Sequence, residues 1–159
     1  MHEAVHALRL ACLQTDTALA ILGFAGTDAV EHLELLSFED ARTGLPGAID
    51  ALLAPHVGGG STPAAEALAL ACRLLERRSE SDRVVVMVTD GEANGGPEVL
   101  RRAVGDAEDA GITVIGFHVG DDPTVSRSLA RAFPESAVIP AARLLGPAVL
   151  GRLGDRLAG

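Results

Sequence analysis

"VVVMVTDGEANGG", residues 84–96, decides how this chain is read. Val84 to Val88 are five apolar residues, four of them valine, and they run straight into Thr89-Asp90-Gly91-Glu92. A continuous β-branched run of this kind reads as a strand buried on both faces, from about Arg83 to Thr89. Its tip carries a carboxylate and then a glycine. Two readings are open there. Asp90-Gly91 is a turn former, or Asp90 holds a ligand beyond the carboxyl end of a strand, where open α/β sheets place their sites.

Outward from this strand, helical and extended patterns alternate. On its N-terminal side, "STPAAEALALACRLLERR" has an inner stripe of Ala67, Leu68, Ala71, Cys72 and Leu75, widened by Leu70 and Leu74. Thr62 is placed to cap that helix and Pro63 to occupy its first position. On its C-terminal side, Pro97 to Ala110 predicts a helix with Leu100, Ala103, Val104 and Ala107 inward, stopped by Gly111. "ITVIGFHV" (112–119) is a second buried strand, followed by a helix begun at Asp122-Pro123, a short strand "SAVIP" and a terminal helix. Upstream, His2 to Gln14 has helical spacing, Thr17 to Phe24 reads as a buried strand, His32 to Phe38 as an edge strand, and Ala48 to Leu53 as a short helix. Alternating βα units imply a mostly parallel sheet with helices on both faces, because parallel crossovers are right-handed. No repeat and no linker is visible.

Composition bounds the function. The chain has 159 residues, 48% of them hydrophobic, enough for one sizeable core. With 3% aromatic residues and no Trp or Tyr, that core is built from Ala, Val, Leu and Ile. The net charge is −9, and all 13 basic residues are Arg, so nucleic acid is not an expected partner. No run of about 18 apolar residues predicts a membrane span, and no signal peptide is visible. Cys12 and Cys72 lack CxxC spacing and read as buried free thiols. The five His show no zinc spacing.

Polar residues gather at three predicted strand tips. These are Thr89-Asp90-Gly91-Glu92, the loop "VGGGSTP" with Ser61 and Thr62, and "HVGDDP" with Asp121 and Asp122. Hydroxyl and carboxylate oxygens meeting in one cleft suit a hard divalent cation, Mg²⁺ above all, or Mn²⁺ or Ca²⁺. Each residue also has a plainer reading. Thr62 is a cap, Asp90 a turn former, Asp121 and Asp122 a turn and a cap, and His118 a satisfied, partly buried histidine. The GGG run lacks the GK[ST] ending of a phosphate loop.

Taken together, "GGGSTPAAEAL" (58–68) and "VVVMVTDGEAN" (84–94) resemble the von Willebrand factor type A (vWA) domain family. "ALAILGFAGTDAVEHLELLSF" (18–38) resembles that family's second and third strands, and "GITVIGFHVGDD" (111–122) its fifth. The resemblance implies a Rossmann-like α/β fold and a metal-ion-dependent adhesion site built from three segments: D-x-S-x-S after the first strand, a Thr before a helix, and an Asp in a T/S-D-G turn. Thr62 matches the second segment and Asp90 the third, with Ser61, Thr89, Gly91, Glu92 and Asp121 as accessory positions. No D-x-S-x-S occurs in the sequence. Met1 looks like the methionine that often follows that motif, so the resemblance implies that the central first strand lies upstream of Met1. Residues 1–159 are then a single vWA-like domain, incomplete at the N-terminus. Such a chain is expected to fold poorly, since unpaired buried backbone groups cost about 1–3 kcal/mol each, and to bind Mg²⁺ weakly.

The function this implies is a metal-dependent protein-interaction domain and not an enzyme, in which a partner's acidic side chain completes the metal's coordination. The segment order and the "TDGEAN" turn look similar to the bacterial cobaltochelatase and nitric-oxide-reductase activation types, which work with a MoxR-like AAA+ ATPase. That implies a cytoplasmic location, although a signal peptide could be lost with the first strand. Two alternatives stand beside it. One is a Mg²⁺-dependent phosphoryl-transfer or hydrolase enzyme using Asp90, Asp121 and Asp122, against which the sequence shows no obvious nucleophile–base pair. The other is a structural scaffold whose site has decayed.

Overall fold

The computed structural model of the protein describes Arg9, Cys12 and residues 17–26, 30–38 and 62–157. The chain divides into two compact units. One comprises Met1–Gly23, His32–Gly59 and Ala141–Gly159, and the other Phe24–Glu31 and Gly60–Pro140. The expected helix at Ala48 to Leu53 and the candidate Ser61 lie outside the described residues, as does most of His2 to Gln14, where Arg9 and Cys12 are both helical.

The larger stretch, Gly60–Pro140, is a run of αβ units. Helix α1 (Ala64–Glu76) leads to β3 (Arg83–Thr89), α2 (Pro97–Asp109), β4 (Ile112–Val119), α3 (Pro123–Ala132) and β5 (Glu135–Ile139). Strands β3, β4 and β5 lie side by side and parallel, with Val85 opposite Val114 and Phe117 opposite Ala137. The fold is α/β, with a parallel sheet flanked by helices. Both alternating faces of β4 are buried, which is why its sequence is apolar without a period of two. Val85 and Met87 of β3 and Ile112 and Val114 of β4 join Leu68, Leu100, Val104 and Leu129 in one core cluster. The predicted inner stripes of α1 and α2 supply it, with Ala71, Leu75 and Ala103 packed at its margin. Helix α2 stops at Gly111, whose φ of 72° lies in the left-handed region a glycine enters without strain.

Two strand boundaries differ from expectation. Strand β1 spans Ile21–Gly26, so Thr17 to Ala20 are apolar but outside it. Strand β2 spans Val30–Leu36 rather than His32 to Phe38. Hydropathy reports burial and not ladder pairing, so it misplaces strand ends. β1 and β2 pair with each other in a two-stranded sheet, separate from β3-β4-β5. Among the described residues β3 therefore has a ladder partner on one side only. In the other unit, a 3-10 turn (Ala142–Leu144) precedes α4 (Leu145–Leu157), with Leu145 and Val149 buried one turn apart. Both cysteines are buried free thiols, and burial raises their pKa above the ordinary thiol value.

Candidate functional site

The carboxyl end of β3 meets the N-terminus of α1. Thr89 is buried, and its hydroxyl closes the turn on itself, donating to the carbonyl of Gly91 (2.9 Å) and accepting from the Gly91 amide (3.2 Å). That hydroxyl is thus engaged by the backbone of its own turn. Asp90, next in sequence, is exposed, and its carboxylate has no hydrogen bond or ion pair among the described residues.

Gly91 is not in the left-handed region. The turn therefore does not require glycine for its φ. What it supplies is space: a Cβ at Gly91 would stand 3.2 Å from Thr62 Oγ1. The Thr62 hydroxyl lies over the Asp90-Gly91 turn, and the two halves of the site that the sequence separates by 28 positions are brought into contact. Thr62 does not cap α1, as expected from its position. Pro63 is the N-cap residue, and no side chain bonds to the first-turn amides. The reason lies in the neighbouring loop, which holds the Thr62 backbone from both sides. The Thr62 amide donates to Asn94 Oδ1, and the Asn94 amide donates to the Thr62 carbonyl, each at 2.9 Å. Asn94 is the positioning residue that sequence reasoning passed over. Its partner is 32 residues away, so no local pattern signals it.

The tip of β4 is built differently. Asp122 caps α3, accepting from the Thr124 amide (2.7 Å) and the Val125 amide (3.4 Å). Those donors hold its carboxyl below the ordinary carboxylate range. Asp121 is exposed and turns into the cap. His118 is 1% exposed, and its Nδ1 lies 2.9 Å from Ser126 Oγ. This is a hydroxyl–imidazole pair that the sequence reading did not see, although eight residues part its members. It is not an activated nucleophile. Ser126 Oγ donates to the Asp122 carbonyl at 2.9 Å, so the bond between them is made by an Nδ1–H donating to Oγ. A ring nitrogen that carries the proton cannot take one from that serine. Nε2 is buried without a partner, and the Asp122 carboxylate is engaged by the helix amides rather than by the imidazole.

Among the described residues no group of three His, Cys, Asp or Glu side chains converges on a point. Among the described residues two oxygen-bearing side chains near this turn have no partner: the Thr62 hydroxyl, which lies 3.2 Å from where a Cβ on Gly91 would stand, and the carboxylate of Asp90, the residue before Gly91. Glu92 lines a cavity with residues of α3. No helix among the described residues is long and apolar enough to cross a membrane.

The von Willebrand factor type A domain model matches residues 4–131. No curated protein matches the chain significantly. Solved structures share the fold at low identity. The crystal structure of the SpRpn10 VWA domain is 13% identical with a TM-score of 0.66, covering 94% of this chain and 80% of that one. The conserved hypothetical protein BatB from Bacteroides thetaiotaomicron is 15% identical with a TM-score of 0.67, covering 98% and 89%. Proximal thread matrix protein 1 from the mussel byssus is 18% identical with a TM-score of 0.65, covering 99% of this chain and 41% of that one.

Proposed function

The chain belongs to the von Willebrand factor type A domain family, a family of general protein-interaction modules, and we propose that it captures a protein partner through a divalent cation held beside Gly91. The observation that carries this reading is that Thr62 Oγ1 lies 3.2 Å from where a Cβ on Gly91 would stand, next in sequence to an Asp90 that is unengaged among the described residues. Glycine lets that oxygen approach the turn, and among the described residues the oxygen has no hydrogen-bond partner. A hydroxyl and a carboxylate fit a hard cation. Mg²⁺ keeps several waters and needs few protein oxygens, so Thr62 and Asp90 would hold it and leave positions open. When bound, the ion would supply a point of high positive charge that prefers an incoming carboxylate, which is the chemistry of an acidic residue on a partner.

Two donors make a weak site. The family's D-x-S-x-S segment is absent from the sequence, and β3 has one edge without a ladder partner among the described residues. A strand bearing that motif along this edge would add donors next to Asp90. The finer assignment, a bacterial domain acting in the cytoplasm with a MoxR-like AAA+ ATPase, is supported by the segment order and the "TDGEAN" turn.

The test is a Mn²⁺ titration of the whole chain, read by water-proton relaxation, on the native protein and on Asp90→Asn and Thr62→Val. The expected result is a saturable bound population that falls at least about tenfold in affinity in each variant, with the melting temperature unchanged. Equal Mn²⁺ affinity in all three proteins would sink the reading.

A further inference from the structure

A cavity of about 310 Å³ is lined by Glu92, Pro97, Thr124, Arg127, Ser128 and Arg131. Arg127 and Arg131 are one turn apart on α3, so their side chains rise from the same face. Arg127 Nε donates to the Pro123 carbonyl at 3.1 Å, which fixes the stem and leaves the terminal nitrogens free. Among the described residues neither guanidinium has a carboxylate partner, whereas Arg78 pairs with Glu80 and Arg101 with Glu98. Ser128 adds a hydroxyl on the same wall, whereas the Thr124 side chain is engaged by the Asp122 carboxylate. The cavity thus holds two cations against one anion, in a chain whose net charge is −9.

Two guanidinium groups side by side without a carboxylate partner among the described residues, with the Ser128 hydroxyl beside them, form a receptor for a planar oxyanion, because each fork can bind a carboxylate through two parallel N–H groups. We propose that this cavity binds a carboxylate side chain of an acidic peptide segment, the same partner segment that presents another carboxylate to the metal at Asp90. Glu92, on the cavity wall, stands two residues beyond Asp90 in sequence. An extended peptide advances about 3.3 Å per residue, and acids a few positions apart would reach both places. Glu92 opposes the bound anion and sets an upper limit on its charge density, which favours a carboxylate over a phosphate. The inference rests on the proposed partner class but not on the metal, since the arginines act without it.

The probe is a fluorescein-labelled deca-glutamate peptide, followed by anisotropy with the whole chain at low salt, in EDTA and in Mn²⁺. In EDTA the native chain is expected to bind, and Arg127→Ala with Arg131→Ala together should weaken binding about fivefold or more. Arg127→Lys with Arg131→Lys should fall between, because an ammonium cannot form the fork. Glu92→Gln should tighten binding about twofold by removing a like charge. Asp90→Asn should abolish only the gain on adding Mn²⁺, so a failed metal site and a failed cavity give different results. The cavity assignment is overturned if the double alanine variant binds as the native chain does, if nothing binds in EDTA, or if Glu92→Gln weakens binding. Competition by a single-stranded DNA of equal charge as effective as the peptide's own overturns the choice of an acidic peptide. All these side chains lie on the surface or its margin, and circular dichroism checks that the variants keep the fold.

Discussion

The tips of β3 and β4 use similar residues and come to opposite ends. Strand β3 ends on Thr89 and β4 carries His118 one residue before its end, each followed within four residues by an Asp, with a hydroxyl at the head of a nearby helix. At β4 the Asp122 carboxylate, the Ser126 hydroxyl and the imidazole Nδ1 are all consumed. The Asp122 carboxylate accepts two helix amides, and the Ser126 hydroxyl lies between the Asp122 carbonyl and the imidazole. At β3 only Thr89 is consumed, in closing its own turn. Among the described residues the Thr62 hydroxyl and the Asp90 carboxylate are left over, and backbone bonds to Asn94 hold Thr62 in place of a side-chain cap. A carboxylate at a strand tip is therefore not informative in itself. What distinguishes a cap from a candidate ligand is whether the surrounding amides already satisfy it.

The largest expected effect removes what the two tips share. Leu68 is fully buried in the cluster that also holds Met87, Val114 and Leu129. Leu68→Ala should cost about 2–5 kcal/mol, through lost transfer energy and the cavity left behind. Urea unfolding with an unchanged m-value would measure it. A cost under about 1 kcal/mol would mean that the helices stand on the sheet less firmly than the packing indicates.

A smaller change should separate the tips. Asn94→Ala removes the acceptor of the Thr62 amide and should cost about 0.5–1.5 kcal/mol. Hydrogen exchange should show the loss at Thr62, with the Val125 amide at the β4 tip protected as before. Equal loss at both would mean that the two loops open together.

How much of this contrast the sequence reveals depends on the range of each interaction. The bounds of β3 and β4 are legible because their apolar runs end on polar tips, although β4 is buried on both faces and β3 fully buries only Val85, Met87 and Thr89. Asp122 is legible as a cap because its partners are two and three residues away. The role of Thr62 is not, because a hydroxyl before a helix has two possible directions, and the choice is made by a loop that arrives from the far side of β3. The start of β1 is misread because Thr17 to Ala20 are as apolar as a strand and have no ladder. The family pattern places Thr62 and Asp90 in one site, but only the contact at Gly91 gives a physical reason for the glycine between them.

Acid should act on the β4 tip at a pH that leaves the shared core intact. The Asp122 carboxyl is held below its ordinary value of 3.8 by the Thr124 and Val125 amides. A carboxylate with a depressed folded pKa adds stability that is fully present above the unfolded value and is lost as pH falls through the folded one. The first turn of α3 should therefore loosen only below about pH 4, first at the Thr124 and Val125 amides. A carbon-13 titration of the Asp122 carboxyl with a midpoint at or above 3.8 would contradict the cap geometry.

The smallest expected change in stability is also the sharpest test of the β3 tip. Gly91→Ala places a methyl 3.2 Å from Thr62 Oγ1, tighter than ordinary contact, at a backbone that is not left-handed. The strain can be relieved by a shift of a few tenths of an ångström in one partly exposed hydroxyl, so the stability change should stay within about 0.5 kcal/mol. If that hydroxyl is only a bystander, nothing else should follow. If it is one of two oxygens holding a cation, its displacement should weaken Mn²⁺ as much as Thr62→Val does, because two donors leave no redundancy. A glycine kept for its backbone freedom would give the reverse result, with stability lost and metal affinity unmoved. The two measurements together thus decide whether Gly91 serves the turn or the oxygen that lies over it.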